Sequence, residues 1–213
     1  MKIAFIGYGN VGAPLADHLQ RLGHTVSLAA SNPNSEAVQK ALALNPNLQV
    51  QAAKQAVANA DVVFLATPFD ANEAALKPLA HELKGKILVD CTNPVAPNLT
   101  HGLNNVRSGS ELVQGLVPDS KVVKAFTIYG FENLQTNQFP AYNVKPAMLF
   151  CGNDQTAKAT TAELIENLGW EAVDVGGLDQ ALHLEHMTLL WIKMIRLQGA
   201  NPHTVWARLT KNA

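Results

Sequence analysis

The chain alternates short apolar runs with longer stretches in which apolar residues recur at helical spacing. A short continuous apolar run is typical of a strand buried on both faces of a parallel sheet. The helical stretches between such runs would cover the two faces of that sheet. The pattern predicts strands at 3–6, 25–29, 48–51, 62–66, 87–89 and 122–125, with helices at 11–22, 35–44, 52–59, 72–83 and 111–116.

The pattern changes in the last third of the chain. Residues 131–146 are rich in Asn, Gln and Pro and predict a long loop, after which 147–151 and 171–175 predict strands around a helix at 155–168. A final helix at 178–197 is apolar nearly all round, so it must be covered on several sides, which favours a homodimer.

We therefore predict an α/β protein in two parts. A Rossmann-type doubly wound parallel sheet occupies residues 1–145, and a small C-terminal α/β portion, residues 146–213, closes over the cleft and forms the dimer contact.

Composition excludes several classes of function. The formal net charge of −1 gives no electrostatic case for a nucleic acid or an anionic membrane as partner. The apolar run at the N-terminus is too short for a signal peptide, and charged residues interrupt helix 178–197, so we expect no export signal and no membrane span. Cys91 and Cys151 both end predicted strands, which favours two free thiols in a cytoplasmic protein.

The strongest motif is a glycine-rich turn between the first strand and the first helix. Its spacing is G-x-G-x-x-G, and its context, a strand before it and a helix after it, is that of a dinucleotide-binding loop. The first glycine permits the tight turn, the second lets the backbone approach a diphosphate, and the third lets the helix pack on the strand. The helix N-terminus would hold the phosphates with free N–H groups. The residues concerned are Gly7, Tyr8, Gly9, Asn10, Val11 and Gly12.

The end of the second strand predicts which dinucleotide is bound. An NAD site usually places Asp or Glu there to bind the ribose 2′-hydroxyl. Between the end of this strand at Ala29 and Glu36 the chain has no acidic residue, and Ser31 and Asn32 could instead hold a 2′-phosphate. The hydroxyls of Ser31 and Ser35 could equally serve to cap the next helix, and capping is compatible with binding. We predict NADP(H) rather than NAD.

Two further loops follow strands at the edge where open parallel sheets bind ligands. Thr67 and Pro68 follow the fourth strand, and Asn93 and Pro94 follow the fifth. Such Thr-Pro and Asn-Pro pairs also end strands for backbone reasons alone, so the contact with a ligand is a prediction. His183 and His186 lie three residues apart on the last helix, but we expect packing or surface roles and no metal site, because no third ligand is in sight.

The ordered set of these motifs resembles a known family. With Ser31-Asn32-Pro33, Ala66-Thr67-Pro68, Thr92-Asn93-Pro94 and the stretch from Val122 to Phe126, the chain is similar to the coenzyme F420-dependent NADP oxidoreductases. The resemblance extends over essentially the whole chain. Two departures are Asn32, where relatives often have Arg, and the segment Phe126-Thr127-Ile128-Tyr129-Gly130, where relatives have Asn or His before Thr-Ile.

The resemblance implies hydride transfer between NADPH and a planar acceptor such as coenzyme F420 or a flavin. That chemistry requires no catalytic side chain, because the cofactors carry it and the protein supplies proximity and a dry cleft. By position, the glycine loop would line the diphosphate and Thr67, Pro68, Asn93 and Pro94 the nicotinamide riboside. Two alternatives stay open: an imine reductase similar to pyrroline-5-carboxylate reductase, and a non-catalytic NADP-sensing module.

Overall fold

The computed structural model describes residues 1–136 and 138–211 as one eight-stranded sheet with helices on both faces. The strand order is β3-β2-β1-β4-β5-β6-β7-β8, and every neighbouring pair is parallel except β6 and β7. The strands are β1 Lys2–Ile6, β2 Thr25–Ala30, β3 Gln49–Ala52, β4 Val62–Leu65, β5 Ile87–Asp90, β6 Lys121–Lys124, β7 Ala147–Gly152 and β8 Glu171–Asp174. The predicted Rossmann-type α/β fold is confirmed.

The helices alternate with the strands, as the sequence pattern predicts. They are α1 Gly12–Arg21, α2 Glu36–Leu44, α3 Ala53–Asn59, α4 Asn72–Leu76, α5 Ala80–Leu83, α6 Gly109–Leu116, α7 Glu132–Gln135, α8 Gln155–Asn167 and α9 Ala181–Arg196. Because β1 is followed by β2 on one side and paired with β4 on the other, the order of the strands reverses between β1 and β4. Ligands of doubly wound sheets bind at the carboxyl ends of the strands at such a reversal.

The two faces of the sheet carry separate apolar clusters, because successive side chains of a strand point to opposite faces. Phe5 of β1 stacks on Phe64 of β4 with ring centroids 4.7 Å apart, and Phe126 packs next to them. On the other face, Ala4 and Val63 contact the helices that follow β3 and β4. Both faces of the central strands are therefore buried, as their continuous apolar runs predict.

Two predicted elements differ from the structure. The single helix predicted at 72–83 is wrong: a 3₁₀ turn, Lys77–Leu79, separates α4 from α5. Pro78 lies in this turn and has no N–H for an α-helical hydrogen bond. The predicted loop at 131–146 contains α7, and its residue Asn137 lies outside the described residues.

The C-terminal portion extends the same sheet through β7, which pairs antiparallel with β6. The domain boundary between residues 145 and 146 stays a prediction. Helix α9 packs its buried face against the end of β6 and the loop after β5, and Trp191 on this helix is 1% exposed. No helix within residues 1–136 and 138–211 is long and apolar enough to cross a membrane.

Both cysteines are free and buried, which confirms the predicted thiols. Burial raises the pKa of Cys151 to about 12, and burial followed by the charge of Asp90 raises that of Cys91 well above its usual range. Since the thiolate is the reactive form, both thiols are inert in the folded protein at neutral pH.

Candidate dinucleotide-binding site

A cavity of ≈ 880 Å³ lies at the carboxyl ends of β1, β2 and β4, where the strand order reverses. Its volume falls within the range of about 300–1,000 Å³ that small-molecule sites usually have. Apolar atoms form most of its wall. Of the predicted site residues, the cavity is lined by Gly7, Tyr8, Gly9, Asn10, Val11, Ser31, Thr67 and Pro68.

Two glycines of the loop are required by close backbone contacts. Gly7 has φ +90°, and a Cβ there would lie 2.5 Å from the carbonyl carbon of Ala66 and 2.6 Å from the nitrogen of Thr67. A Cβ on Gly12 would lie 2.2 Å from the carbonyl oxygen of Gly7. The third glycine therefore lets α1 pack against the loop, and the first, which has the positive φ of a tight turn, also lets the loop approach the end of β4.

Gly9 differs from the other two glycines because a Cβ there would meet no atom within 4 Å. It lies at the mouth of the cavity, next to the N-terminus of α1, and its backbone is open to a ligand. An unobstructed backbone at a helix N-terminus suits the diphosphate of a dinucleotide.

The other four predicted residues lie outside the wall of this cavity in the described part of the chain. Gly12 packs behind the loop, and Asn32 is exposed, with its side-chain oxygen accepting the N–H of Asn34. Asn93 lies one strand further along, where its side-chain oxygen accepts from Thr188 of α9, and Pro94 is buried beside it. The cavity thus holds the residues of β1, β2 and β4, and the loop after β5 borders a different region.

The sequence reasoning missed Lys54, a residue of α3 that lines the cavity together with Ser31. The register of β2 and β3 places Ala30 opposite Ala52, so the ends of these strands, and Ser31 and Lys54 just beyond them, lie side by side. The signal in the sequence was a lysine, Lys54, two residues after the third strand. Only the parallel pairing of β3 with β2 brings this lysine to the end of the site where the ribose would bind.

The charges around the cavity favour an anion at that end. Lys54 is mostly exposed and lies 4.0 Å from Glu82, too far for a strong ion pair. Glu36, the acidic residue at the start of α2, accepts a hydrogen bond from Lys40, which lowers the pKa of Glu36. Among the described residues that line the cavity, Lys54 is the only charged side chain.

A chain of buried side chains runs from the cavity into the interior. The hydroxyl of Thr67 donates to Asn72 Oδ1 at 2.7 Å, and Asn72 Nδ2 donates to the hydroxyl of Thr92 at 2.9 Å. That hydroxyl donates in turn to Asp90 Oδ1 at 2.7 Å. Asn72 and Thr92 are each 3% exposed and Asp90 is fully buried. We call Thr67, Asn72, Thr92 and Asp90 the Asp90 chain.

The Asp90 chain ends at three buried charged side chains, Asp90, Lys124 and Glu185, with His101 hydrogen-bonded to Glu185. We call these four residues the buried charge cluster. Lys124 Nζ lies 3.0 Å from Glu185 and 3.7 Å from Asp90, and it also donates to the carbonyl of Thr92 at 2.8 Å. Burial alone lowers the pKa of Lys124, but the two carboxylates more than offset this, so the pKa is raised and the ammonium stays charged.

Glu185 connects α9 with three parts of the nucleotide-binding sheet. Its carboxylate contacts Lys124, accepts the N–H of Gly109 at the start of α6, and lies 2.7 Å from Nε2 of His101. Nδ1 of His101 accepts backbone N–H groups of Leu103 and Asn105 at 3.3 Å, so Nε2 carries the proton and donates to Glu185. Sequence reasoning found no context for His101. A histidine in a polar loop carries no signal of a partner 84 residues away.

Of the two histidines of α9, His186 faces a polar side chain of the loop after β5. His186 lies 2.8 Å from Asn105 Oδ1, and burial followed by the neighbouring histidines lowers its pKa. In the part of the chain that the structure describes, no group of three or more His, Cys, Asp or Glu residues could hold a metal ion.

Comparisons with known proteins agree with this geometry. Residues 2–94 match the family model described as NADP oxidoreductase, coenzyme F420-dependent. This segment contains β1 to β5 and all walls of the cavity.

Two curated relatives extend the similarity over most of the chain. An F420-dependent NADP reductase of Methanocaldococcus jannaschii is 31% identical over 206 residues, which cover 90% of this chain and 91% of that protein. Metalloreductase STEAP3 of Rattus norvegicus is 32% identical over 189 residues, covering 88% of this chain but only 36% of the larger protein.

A solved structure is similar over nearly its whole length. It comes from Arthrobacter sp. FB24, is described as a candidate F420-dependent NADP reductase, and superposes with a TM-score of 0.81 at 29% identity. The matched region covers 93% of this chain and 95% of that one.

Proposed function

Because the chain belongs to the coenzyme F420-dependent NADP oxidoreductase family, we propose that it transfers hydride between NADP(H) and a planar acceptor of the deazaflavin or flavin class. Membership makes it an NADP-dependent oxidoreductase. The observation that carries the proposal is the cavity itself, which has the open backbone of Gly9 in its wall and Lys54 as its one charged lining residue among those described.

The diphosphate would bind at the N-terminus of α1, where the backbone of Gly9 is unobstructed. The adenosine would then lie towards β2 and β3, against the small apolar residues Ala71, Ala75 and Pro78. Its 2′-phosphate would meet Ser31 and Lys54. A carboxylate at this point would repel the phosphate and favour NAD, and the described cavity wall contains none.

The nicotinamide riboside would lie on the other side of the loop, towards Thr67 and Pro68. The bound nicotinamide supplies or receives the hydride. The work of the protein is to hold the ring at reacting distance from the acceptor and to keep water out, which lowers the entropic cost of the reaction. No side chain of this chain needs to gain or lose a proton for that transfer.

The acceptor would lie between the nucleotide-binding sheet and α9. The hydroxyl of Thr188 in α9 lies 2.7 Å from the carbonyl oxygen of Thr127, to which it donates, and 3.2 Å from Asn93 Oδ1. This contact joins the loops after β5 and β6 to α9. We infer that residues 146–213 close over this end of the cleft, and that a homodimer covers the exposed Leu190 of α9. Light scattering on the purified protein tests the dimer, and a monomer at micromolar concentration would contradict it.

The test of the function is oxidation of NADPH by a panel of acceptors. We expect reduction of a deazaflavin or a flavin in a one-to-one ratio with NADPH oxidised, and much slower oxidation of NADH. The panel should include a ferric chelate, because one relative is named a metalloreductase, and a cyclic imine. Turnover with the imine alone would indicate an imine reductase. Tight NADPH binding without turnover on any acceptor would indicate a sensing module.

A further inference from the structure

The Asp90 chain has a fixed hydrogen-bond direction. Asp90 Oδ1 accepts both the N–H and the hydroxyl of Thr92, at 2.9 and 2.7 Å, and the other oxygen accepts from Ser110 at 2.6 Å. With the ammonium of Lys124 nearby, the carboxylate is surrounded by donors and acts only as an acceptor. The single hydroxyl proton of Thr92 is therefore committed to Asp90.

The direction of the Thr92–Asp90 hydrogen bond determines the direction of the two bonds that lead to the edge of the cavity. Because Thr92 Oγ1 has no proton left, Asn72 can meet it only with its NH₂ group, which turns the carbonyl oxygen of Asn72 towards Thr67. The hydroxyl of Thr67 must then donate to that oxygen. Asn72 and Thr92 are almost fully buried, so water does not compete for these bonds.

The hydroxyl of Thr67 consequently offers only lone pairs to the cavity that Thr67 lines. A phosphate oxygen also has only lone pairs and could not form a hydrogen bond with this hydroxyl. A ribose hydroxyl or a carboxamide N–H, by contrast, could donate to Thr67. The threonine is thus able to distinguish one part of a dinucleotide from another by the direction of a hydrogen bond.

We propose that Thr67 accepts a hydrogen bond from the nicotinamide riboside, and that Asp90, Thr92 and Asn72 are positioning residues that hold it in the accepting state. This inference rests on the proposed function, since it needs NADP(H) in the cavity. The family resemblance already implies a register with the diphosphate at Gly9 and the riboside at Thr67; the inference adds the direction of the hydrogen bond and the buried residues that impose it. Gly7 supports this register, because the absence of a Cβ there brings Thr67 against the glycine loop.

The first test compares ligands on Thr67→Val and Thr67→Ser by calorimetry. Thr67→Val should weaken NADP⁺ binding about three- to tenfold, the range for one lost hydrogen bond, and Thr67→Ser should leave it nearly unchanged. Neither variant should affect 2′-phosphoadenosine 5′-diphosphate, which has both phosphate sites but no riboside. Since Thr67 is only partly buried, both variants should fold.

Two more ligands distinguish the two possible donors. If a ribose hydroxyl donates, Thr67→Val weakens 2′-phospho-ADP-ribose as much as NADP⁺. If the carboxamide donates, that ligand and the 3-acetylpyridine analogue of NADP⁺ are unaffected. Either result supports an accepting Thr67. An equal loss for all ligands, or no loss for NADP⁺, would overturn the inference.

The second test addresses the positioning residues. Thr92→Val should also weaken NADP⁺ binding, and the double variant with Thr67→Val should bind no more weakly than Thr67→Val alone, because both changes remove the same interaction. Thr92→Ser should restore binding. Additive losses would show that Thr92 does not act through Thr67. Should Thr92→Val fail to fold, Asn72→Leu can replace it in the same comparison of single and double variants with Thr67→Val.

The matched control is Thr161→Val in α8, a fully buried threonine whose hydroxyl donates to the carbonyl of Ala157 at 2.8 Å. It measures what the loss of a buried threonine hydroxyl does to the fold, and NADP⁺ affinity should not change.

Binding of 2′-phosphoadenosine 5′-diphosphate by the wild type separates the two proposals. If the wild type binds neither this ligand nor NADP⁺, the proposed function fails; if it binds both normally and Thr67→Val binds NADP⁺ normally, only the inference on Thr67 fails.

Discussion

The dinucleotide cavity and the buried charge cluster lie on the same edge of the sheet but are built in different ways. The cavity takes its central loop from six consecutive positions, 7–12, and its requirements are those of the backbone. The cluster draws Asp90, His101, Lys124 and Glu185 from four separate elements, and its requirements are those of charge. A site made of backbone is visible in the sequence as glycine spacing, whereas a site made of distant charges is not.

The largest effect should come from breaking the cluster. Glu185→Leu leaves the ammonium of Lys124 with Asp90 as its one carboxylate partner, at 3.7 Å, beside the carbonyl of Thr92, and removes the acceptor for Gly109 and His101. We expect a loss of about 4 kcal/mol in the free energy of unfolding, as for other buried ion pairs that lose one partner. Urea denaturation measures it.

Glu185→Gln is the control for this variant, because it keeps an oxygen for the hydrogen bonds and should cost distinctly less. If the leucine variant were as stable as the wild type, the attraction within the cluster would do no more than offset the cost of burying its charges.

The next largest effect should come from Gly7→Ala, which distorts the wall of the cavity. Overlap with Ala66 and Thr67 adds to the strain of φ +90°, and together they should cost about 3 kcal/mol and abolish NADP⁺ binding. Gly23→Ala is a matched control, since Gly23 has φ +92° but no neighbour within 4 Å of a Cβ. It should cost about 1 kcal/mol and leave binding intact. Equal losses in the two variants would mean that the backbone conformation, and not the close approach, makes Gly7 necessary.

A smaller effect is expected at the ribose end of the cavity. Lys54→Ala should weaken NADP⁺ binding about tenfold without changing the affinity for NAD⁺, as for a lost charged hydrogen bond to a 2′-phosphate. Lys84→Ala removes an exposed lysine that pairs with Asp119, remote from the cavity, and should change neither affinity. A parallel weakening of NAD⁺ by Lys54→Ala would argue against a contact with the 2′-phosphate.

The smallest effect concerns pH. Lys124 and the thiol of Cys151 both have pKa values raised in the folded protein, from 10.5 and from 9.0, the latter to about 12. Each group holds its proton more tightly when folded, so its stabilising contribution is complete below its ordinary pKa and is lost as pH rises towards the folded value. Stability should therefore change little through these groups at neutral pH. Between pH 8.5 and 10 it should fall by about 1 kcal/mol through Cys151, and further through the likewise buried thiol of Cys91.

Cys151→Ala provides the comparison for the pH series, because it removes one of the two buried thiols and leaves the other, Cys91, in place. The fall between pH 8.5 and 10 should then be smaller. A stability that stays constant to pH 11 in both proteins would contradict the raised pKa values.

The sequence predicted the cavity better than it predicted what surrounds it. The spacing predicted a tight turn at Gly7 and close packing of the helix at Gly12; Gly7 has φ +90°, and a Cβ on either glycine would overlap backbone atoms. Lys54 was missed because its relevance depends on the pairing of β3 with β2. Asp90 directly follows the predicted strand 87–89 and Lys124 lies within the predicted strand 122–125, and neither was predicted as a site residue, although a charged residue at the end of a buried strand is itself a signal that a partner exists.

By itself, the sequence determined the period of each element, the order of strands and helices, and the glycine turn, because these depend on residues that are neighbours in the chain. The tertiary structure alone decided that Glu185 of α9 neutralises Lys124 of β6, and that Asp90 sets the direction of a hydrogen bond at Thr67. Such contacts depend on distances across the fold, and the strength of a buried charge or hydrogen bond is set by the partners that folding brings to it.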